Sequence, residues 1–423
     1  MTATASVRRI VRVPGDKSIS HRSLILAALS DGTSHITGLL RSADVDSTAS
    51  VLSALGVRIE PDNDSIAVQG RGLRGLLVPR QPLDCGNSGT TARLMTGVLA
   101  AHPFDSTLTG DASLSRRPMR RVTEPLGEMG AHFTLEGDRD GLPLLIHGGT
   151  LGSIGWKSRT ASAQVKSAIL LAALNAQVSA NVTEPTRSRD HTERMLAARG
   201  VPIVVDGESV SIGVARSMRA MDAHVPGDPS SAAFFVALAA LFPGRTLDMP
   251  DVCVNPTRTG FLDVIQRMGA LISFLDASDE GGEPTATIRA TGTDFLRSVT
   301  VGAAEMPSMI DEVPILACLA ARAEGETVIS GASELRVKES DRIAAMVRNL
   351  QTIGVDAEER ADGMVIRGTR APLSGRIETH GDHRIAMAFG VLGALPGNEI
   401  EIVAPECVSV SYPSFWSDLR RVA

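Results

Sequence analysis

With 423 residues the chain has the length of two or three domains, and its 43% hydrophobic and 21% charged residues are those of a globular protein rather than a disordered one. Its 42 basic and 48 acidic residues leave a net charge of −6, which argues against a general polyanion binder. Two Trp, one Tyr and ten Phe are too few for a base-stacking platform, so no nucleic-acid partner is expected.

Six copies of one pattern run along the chain. Each has a polar opening with Gly or Ser, a helix rich in Ala and Leu, a turn, and a short β-type run. The first, VPGDKSISHRSLILAALSDGTSHITG from Val13, predicts a helix over Ile19–Leu29 that stops at Ser30-Asp31-Gly32. Val57–Gln69 (VRIEPDNDSIAVQ) predicts a strand, a turn and a strand. The second copy is CGNSGTTARLMTGVLAAHPFDSTLTG from Cys85, and the third is TASAQVKSAILLAALNAQVSANVTE from Thr160. Glu193–Arg199 predicts a helix before Gly200. The fourth copy, VPGDPSSAAFFVALAALFPGRTLDMP from Val225, has a helix running to Pro243-Gly244. The fifth is MPSMIDEVPILACLAARAEGETVISG from Met306, followed by a predicted helix over Ser340–Ile353 and a strand over Met364–Arg367. The sixth is HGDHRIAMAFGVLGALPGNEIEIVAP from His380.

Successive copies start 65 to 81 residues apart, so each is an α/β module of βαβαββ type. Small side chains in the helices allow burial on more than one face. The shared VPGD of the first and fourth copies divides six modules into three plus three. Two similar domains are expected: residues 15–226, and residues 1–14 plus 227–423, with hinges near 13–16 and 224–228.

The longest strongly apolar run, Ala232–Phe242, is too short for a membrane span, which needs about 20 residues, so no membrane partner is expected. Met1–Val13 has Arg8, Arg9 and Arg12 but no apolar stretch, and no secretory signal is read there. Cys85, Cys253, Cys318 and Cys407 are scattered with no metal-type spacing. A reduced, cytoplasmic protein with buried cysteines, no metal and no cofactor is expected.

Charged motifs gather at helix openings, where free N–H groups and the dipole favour anions. GDKSISHR (Gly15–Arg22) lacks the frame of an ATP-binding P-loop, although Lys17 and Arg22 can each hold an anion. CGNSGTTAR (Cys85–Arg93) brackets Asn87 with glycines and reads as a tight turn and cap, or as a close approach for a small anion at Gly89. ELRVKESDR (Glu334–Arg342) packs six charges into nine residues. It reads as a solvated helix start, or as an acid–base carboxylate, Glu339, beside the cations Lys338 and Arg342. GDHRIAM (Gly381–Met387) sets Asp, His and Arg before an apolar helix, with no hydrolase context.

Taken together and in this order, GDKSISHR, GNSGTTAR, SRRPM, ASAQVKSAILLA, RDHTERML, MPSMIDE, LRVKESDR and GDHRIAMAF resemble the bacterial branch of the 5-enolpyruvylshikimate-3-phosphate synthase family, from about Val13 to Phe415. The resemblance implies two domains of three βαβαββ units each with buried parallel helices, an inside-out barrel arrangement, and substrates bound between the domains. It implies transfer of the enolpyruvyl group of phosphoenolpyruvate to the 5-hydroxyl of shikimate 3-phosphate, with loss of phosphate, in the shikimate route to aromatic amino acids. It implies two small-molecule substrates and no cofactor, and a monomer is expected.

Residue by residue, the resemblance implies that Lys17, Gly89, Arg117, Arg342, His383 and Arg384 face phosphoenolpyruvate. Lys17, Ser18, Arg22, Ser162, Ala163, Gln164, Ser188, Arg189, Asp311 and Lys338 are assigned to shikimate 3-phosphate. Asp311, Glu339 and Lys17 are the expected catalytic groups: Asp311 as base toward the hydroxyl, Glu339 with Lys17 in proton delivery.

The chain departs from the family pattern at Ala163, where many members carry a serine, at Val410, where many carry a lysine, and at Leu94, where some carry proline. Gly89 is the residue type of glyphosate-sensitive members, and domain closure around the substrates is the expected motion. The related UDP-N-acetylglucosamine enolpyruvyl transferases usually carry a cysteine in the loop matching Ser113–Arg120, which here has none. RNA 3′-phosphate cyclase shares a related module but needs nucleotide chemistry.

Overall fold

The repeated VPGD has two local physical reasons. A Cβ on Gly15 would stand 2.0 Å from the Gly38 carbonyl oxygen, and one on Gly227 2.8 Å from the Val13 side chain, so both backbones approach neighbours too closely for any side chain. The aspartate that follows caps a helix: Asp16 Oδ1 accepts from the Ile19 N–H at 2.8 Å, and Asp228 Oδ1 from the Ser230 N–H at 2.7 Å.

This computed structural model describes residues 8–423; Met1–Val7, part of the first stretch given to one domain on sequence grounds, lie outside the described residues. The chain divides into two compact units. One is Gly15–Val225 with Glu280–Glu283; the other is Pro226–Asp279 and Pro284–Ala423 with the N-terminal stretch up to Pro14.

The unit of Gly15–Val225 holds three four-stranded sheets of one plan. Leu83–Asp84, Asp105–Thr109, Leu144–His147 and His132–Leu135 form one, in that spatial order, and its first pair is parallel and the rest antiparallel. Ile154–Lys157, Ala180–Thr183, Ser209–Ile212 and Ile203–Asp206 repeat it. In both, a helix joins the parallel pair: Gly89–Ala100 and Ala163–Ala176. In the third sheet the parallel partner of Thr33–Thr37 is Ala223–His224, from the far end of the unit.

Small residues let these helices meet. A Cβ on Gly97 would lie 2.2 Å from the Ala168 carbonyl oxygen of the neighbouring helix. The first helix spans Lys17–Ala28, two residues earlier at its start than the sequence predicts, because Asp16 is its cap.

The other unit repeats the plan twice in full. Arg8–Ile10 pairs in parallel with Thr246–Asp248, whose antiparallel neighbour is Glu283–Thr291 of a long hairpin with Leu271–Glu280. Thr300–Val301, Glu326–Ile329, Gly363–Arg367 and Asp356–Arg360 form the second sheet. The last module has only the parallel pair Ser374–Glu378 and Glu399–Val403, after which the chain ends in the helix Phe415–Val422.

The fourth helix, Pro229–Ala240, is buried at every residue, as its composition of Ala, Phe, Val and Leu requires. Phe234, Phe235, Tyr412, Phe415 and Trp416 pack in one cluster with ring centroids 5.0 to 6.0 Å apart. Much of the scarce aromatic content therefore serves this core. Cys85, Cys253 and Cys318 are buried thiols, whereas Cys407 is half-buried near the surface.

Candidate active site

In the unit of Gly15–Val225, three helix openings present the predicted groups. Lys17 and Ser18 begin the first helix, with Lys17 paired to Asp44. Arg22, one turn on, is buried, and its partners are all uncharged: Thr192 Oγ1 at 2.7 Å, Ser167 Oγ at 2.8 Å and the Ser18 carbonyl at 3.0 Å. Burial therefore pulls its pKa down to about 10. It remains charged at neutral pH and is suited to an incoming anion. Arg189 is half-buried, and its charge acts on Arg22.

Gly89 is the first residue of its helix, after the Ser88 cap. A Cβ there would stand 2.7 Å from Arg93 Nη1 and 3.5 Å from Arg117 Nη1, so glycine keeps two guanidinium groups close to one backbone segment. Arg117 Nη2 donates to Asn87 Oδ1 at 2.8 Å, and Arg93 Nη1 to Gln164 Oε1 at 2.8 Å. Gln164 in turn donates to Thr90 Oγ1 at 3.0 Å, which ties the second helix opening to the third.

Ser162 caps the third helix and Ala163 is its first residue. Glu184, absent from the sequence-based assignments, organises this corner. Its Oε1 accepts from the Ser162 N–H at 2.8 Å; its Oε2 accepts from the Ser188 N–H at 3.2 Å and from Ser188 Oγ at 2.7 Å. Lys166 Nζ lies 2.8 Å from both Glu184 Oε2 and Glu193 Oε1, with all three side chains buried. Burial alone would lower the Lys166 pKa, but the two carboxylates outweigh it and raise it.

His21 sits one turn along from Lys17. Its Nδ1 lies 2.6 Å from Thr48 Oγ1, which bonds Thr91 Oγ1 at 2.6 Å. Burial, and then the Lys17 charge, push its pKa down to about 3, so it is neutral at physiological pH.

The other unit carries the remaining assignments. The ELRVKESDR segment is not a solvated helix start: Arg342 is 1% exposed. Its Nε donates to Asp382 Oδ2 at 2.8 Å, its Nη2 to Glu339 Oε2 at 2.7 Å and its Nη1 to Asp311 Oδ1 at 3.3 Å. Burial disfavours the Arg342 charge, but these carboxylates outweigh it and raise its pKa. Burial likewise works against the Asp382 carboxylate, and Arg342 outweighs it and holds the pKa below its ordinary value.

Asp311 stands in the single turn Ile310–Glu312 that leads into the helix Val313–Ala320. Lys338 Nζ is 3.6 Å from its Oδ1, and Arg384 Nη2 is 4.0 Å from its Oδ2. Arg384 also donates to the Asp311 carbonyl at 3.1 Å. His383 is buried and opens the sixth helix behind the Asp382 cap. Asp311, Glu339 and Asp382 thus converge on the buried Arg342 guanidinium, with Lys338 and Arg384 against Asp311 and His383 next in the chain to Asp382.

Sequence reasoning missed Asp44 and Glu184, and it placed Asp382 at its helix opening without giving it the role of Arg342 clamp. Asp382 carried a signal, since it directly precedes an apolar helix. Asp44 and Glu184 carried none, because the groups they serve are distant in sequence. Of the departures, Leu94 is fully buried inside its helix, Ala163 offers no hydroxyl, and Val410 is half-buried in the turn Pro405–Val410.

Residues 1–419 match the family profile described as EPSP synthase (3-phosphoshikimate 1-carboxyvinyltransferase). The chain is 51% identical to the 3-phosphoshikimate 1-carboxyvinyltransferase of Halorhodospira halophila over 413 residues, which cover 97% of this chain and 93% of that relative. It is 45% identical to the protein of the same name from Bacillus licheniformis over 421 residues, covering 99% and 98% of the two chains. A solved structure of EPSP synthase from Acinetobacter baumannii superposes with a TM-score of 0.86 at 42% identity, covering 98% of this chain and 96% of that one.

Proposed function

The chain belongs to the EPSP synthase (3-phosphoshikimate 1-carboxyvinyltransferase) family, and from that premise we propose how its own residues carry the reaction. The activity is transfer of the enolpyruvyl group of phosphoenolpyruvate to the 5-hydroxyl of shikimate 3-phosphate, with release of phosphate, in aromatic amino-acid biosynthesis.

The reading of the site rests on one observation above all: the Asp311 carboxylate has Lys338, Arg342 and Arg384 within 4.0 Å. Asp311 takes the proton of the attacking hydroxyl, whose oxygen bonds the central carbon of phosphoenolpyruvate. Glu339 and Lys17 deliver a proton to the methylene carbon. The resulting tetrahedral adduct loses phosphate, and the methylene group re-forms as its proton departs. Arg342, His383 and Arg384, with Lys17, Gly89 and Arg117, hold the phosphoenolpyruvate anion. Ser18, Arg22, Ser162, Ala163, Gln164, Ser188, Arg189 and Lys338 hold shikimate 3-phosphate, with Arg22 and Arg189 on its phosphate.

Phosphate release from the purified protein tests this reading. Release is expected only when both substrates are present, and with no added metal. Release from phosphoenolpyruvate alone would remove the transfer mechanism. We also place the protein in the cytoplasm as a monomer, which sedimentation and cell fractionation test. No described helix is long and apolar enough to cross a membrane.

A further inference from the structure

Arg22 turns the edge formed by its Nε and Nη2 toward two hydroxyls, Thr192 Oγ1 at 2.7 Å and Ser167 Oγ at 2.8 Å. Elsewhere in this protein the same edge of an arginine meets a carboxylate. Arg120 sets it on Asp140 at 2.8 and 3.0 Å, Arg289 on Asp248 at 2.8 and 3.0 Å, and Arg342 on Asp382 at 2.8 and 3.3 Å. The Ser167 and Thr192 hydroxyls are bonded to each other at 2.7 Å. They therefore present two oxygens side by side, as a carboxylate does, but without its charge.

The carboxylates whose charge reaches Arg22 are engaged elsewhere. Glu193 Oε1 lies 2.8 Å from Lys166 Nζ, Asp16 caps the first helix through the Ile19 N–H, and Glu283 Oε1 lies 2.8 Å from His191 Nδ1. Arg189 adds a like charge. Burial outweighs the carboxylates at Arg22 and lowers its pKa, whereas the ion-paired and similarly buried Arg342 has its pKa raised. A buried guanidinium held by neutral acceptors keeps its charge for an incoming anion.

The holders come from the segments that carry the shikimate 3-phosphate assignments. Ser167 is about one turn past the Ser162 cap, in the helix Ala163–Ala176. Thr192 is the second residue of the helix His191–Ala198, which follows Ser188 and Arg189. Arg22 Nη1 donates to the carbonyl of Ser18 at 3.0 Å. All of these residues belong to the unit of Gly15–Val225. Ser167 and Thr192 are each only 1% exposed, so their effect on a substrate passes through Arg22.

We propose that Ser167 and Thr192 are positioning residues for shikimate 3-phosphate: their paired hydroxyls fix the Arg22 guanidinium for the substrate anion without cancelling its charge. The proposal rests on the assignment of Arg22 to that substrate.

Steady-state kinetics of the whole enzyme test it. Thr192→Val keeps the shape and removes the acceptor; the KM for shikimate 3-phosphate is expected to rise about tenfold, with kcat and the KM for phosphoenolpyruvate within about twofold of the unaltered chain. Ser167→Ala is expected to act likewise, and Thr192→Ser, which keeps the hydroxyl, to restore the KM. Thr192→Asp supplies the withheld counter-charge. It is expected to raise the same KM about a hundredfold, although it holds Arg22 more tightly. Arg22→Gln separates the inference from the assignment beneath it. That variant is expected to raise the KM for shikimate 3-phosphate, and adding Thr192→Val to it is expected to raise the KM no further. An unchanged KM in Arg22→Gln would remove the assignment of Arg22 and the proposal with it. A raised KM in Arg22→Gln with an unchanged one in both Thr192→Val and Ser167→Ala would overturn the proposal alone. So would a full tenfold effect of Thr192→Val in the Arg22→Gln background, or a fall confined to kcat. Should Thr192→Asp fold and bind shikimate 3-phosphate as well as the unaltered chain, the need for a neutral holder would be refuted.

Discussion

Arg342 and Asp382 form a two-bonded ion pair, at 2.8 and 3.3 Å, between two side chains that are almost wholly buried. The same carboxylate accepts from the Arg384 N–H at 3.0 Å, so one residue caps the sixth helix and anchors the guanidinium on which Glu339 and Asp311 also converge. Asparagine at 382 keeps the size and the cap but not the charge. Asp382→Asn is expected to cost about 3 kcal/mol, because it leaves a buried cation less compensated. Urea unfolding at constant slope measures it; a shift below about 0.5 kcal/mol would show the pair to be energetically idle.

Asp311→Asn addresses the proposed base. The expected result is a fall in kcat of roughly a hundred- to ten-thousand-fold with an unchanged unfolding midpoint. Near-normal turnover from a well-folded variant would remove the assignment.

Glu184→Gln separates positioning from chemistry. Glu184 holds Ser162 and Ser188 by three hydrogen bonds and touches none of the groups assigned to proton transfer. The KM for shikimate 3-phosphate is expected to rise about tenfold, with kcat and the KM for phosphoenolpyruvate changed much less. A fall confined to kcat would contradict the positioning role.

Gly89→Ala puts a methyl group 2.7 Å from Arg93 Nη1, the movable end of a long side chain. Little loss of stability is therefore expected, since Arg93 can yield. The displaced guanidinium is expected to raise the KM for phosphoenolpyruvate several-fold and to weaken inhibition by glyphosate, which micromolar concentrations are expected to produce in the unaltered chain. Unchanged steady-state constants would place Gly89 outside the substrate site.

The pH dependence of stability follows from His21. Its pKa is depressed to about 3 in the folded chain, against about 6.5 when unfolded. Between those values the unfolded chain binds the extra proton, so stability rises with pH through this window and is complete above it. Moving from pH 7 to 5 is expected to cost about 2 kcal/mol through this one group. His21→Gln is expected to flatten that part of the profile, and an equal pH dependence in the two proteins would rule His21 out. Asp382 acts at lower pH: its folded pKa lies below the ordinary value, so its contribution is present above about 4 and is lost as pH falls through the folded value.

Several features of this protein were decided by the sequence alone because they are local. The Asp16 and Asp228 caps need only a carboxylate two or three residues before the N–H they bind. The Pro229–Ala240 helix, buried on all sides, is written in its run of small and apolar residues. The ordered motifs at the helix openings carry the family, and with it the enolpyruvyl transfer.

What only the tertiary structure decided is pairing over distance. Arg8–Ile10 could have joined any strand edge, yet it lies beside Thr246–Asp248. The chain has 48 acidic residues, and nothing local says which of them meets a given cation. Packing sets Asp44 on Lys17, Asp382 on Arg342 and Glu184 beneath Ser162 and Ser188. A helix cap is fixed by atoms a few bonds apart. A buried ion pair is fixed by which surfaces the whole chain brings together, and there desolvation makes the partner a matter of several kcal/mol.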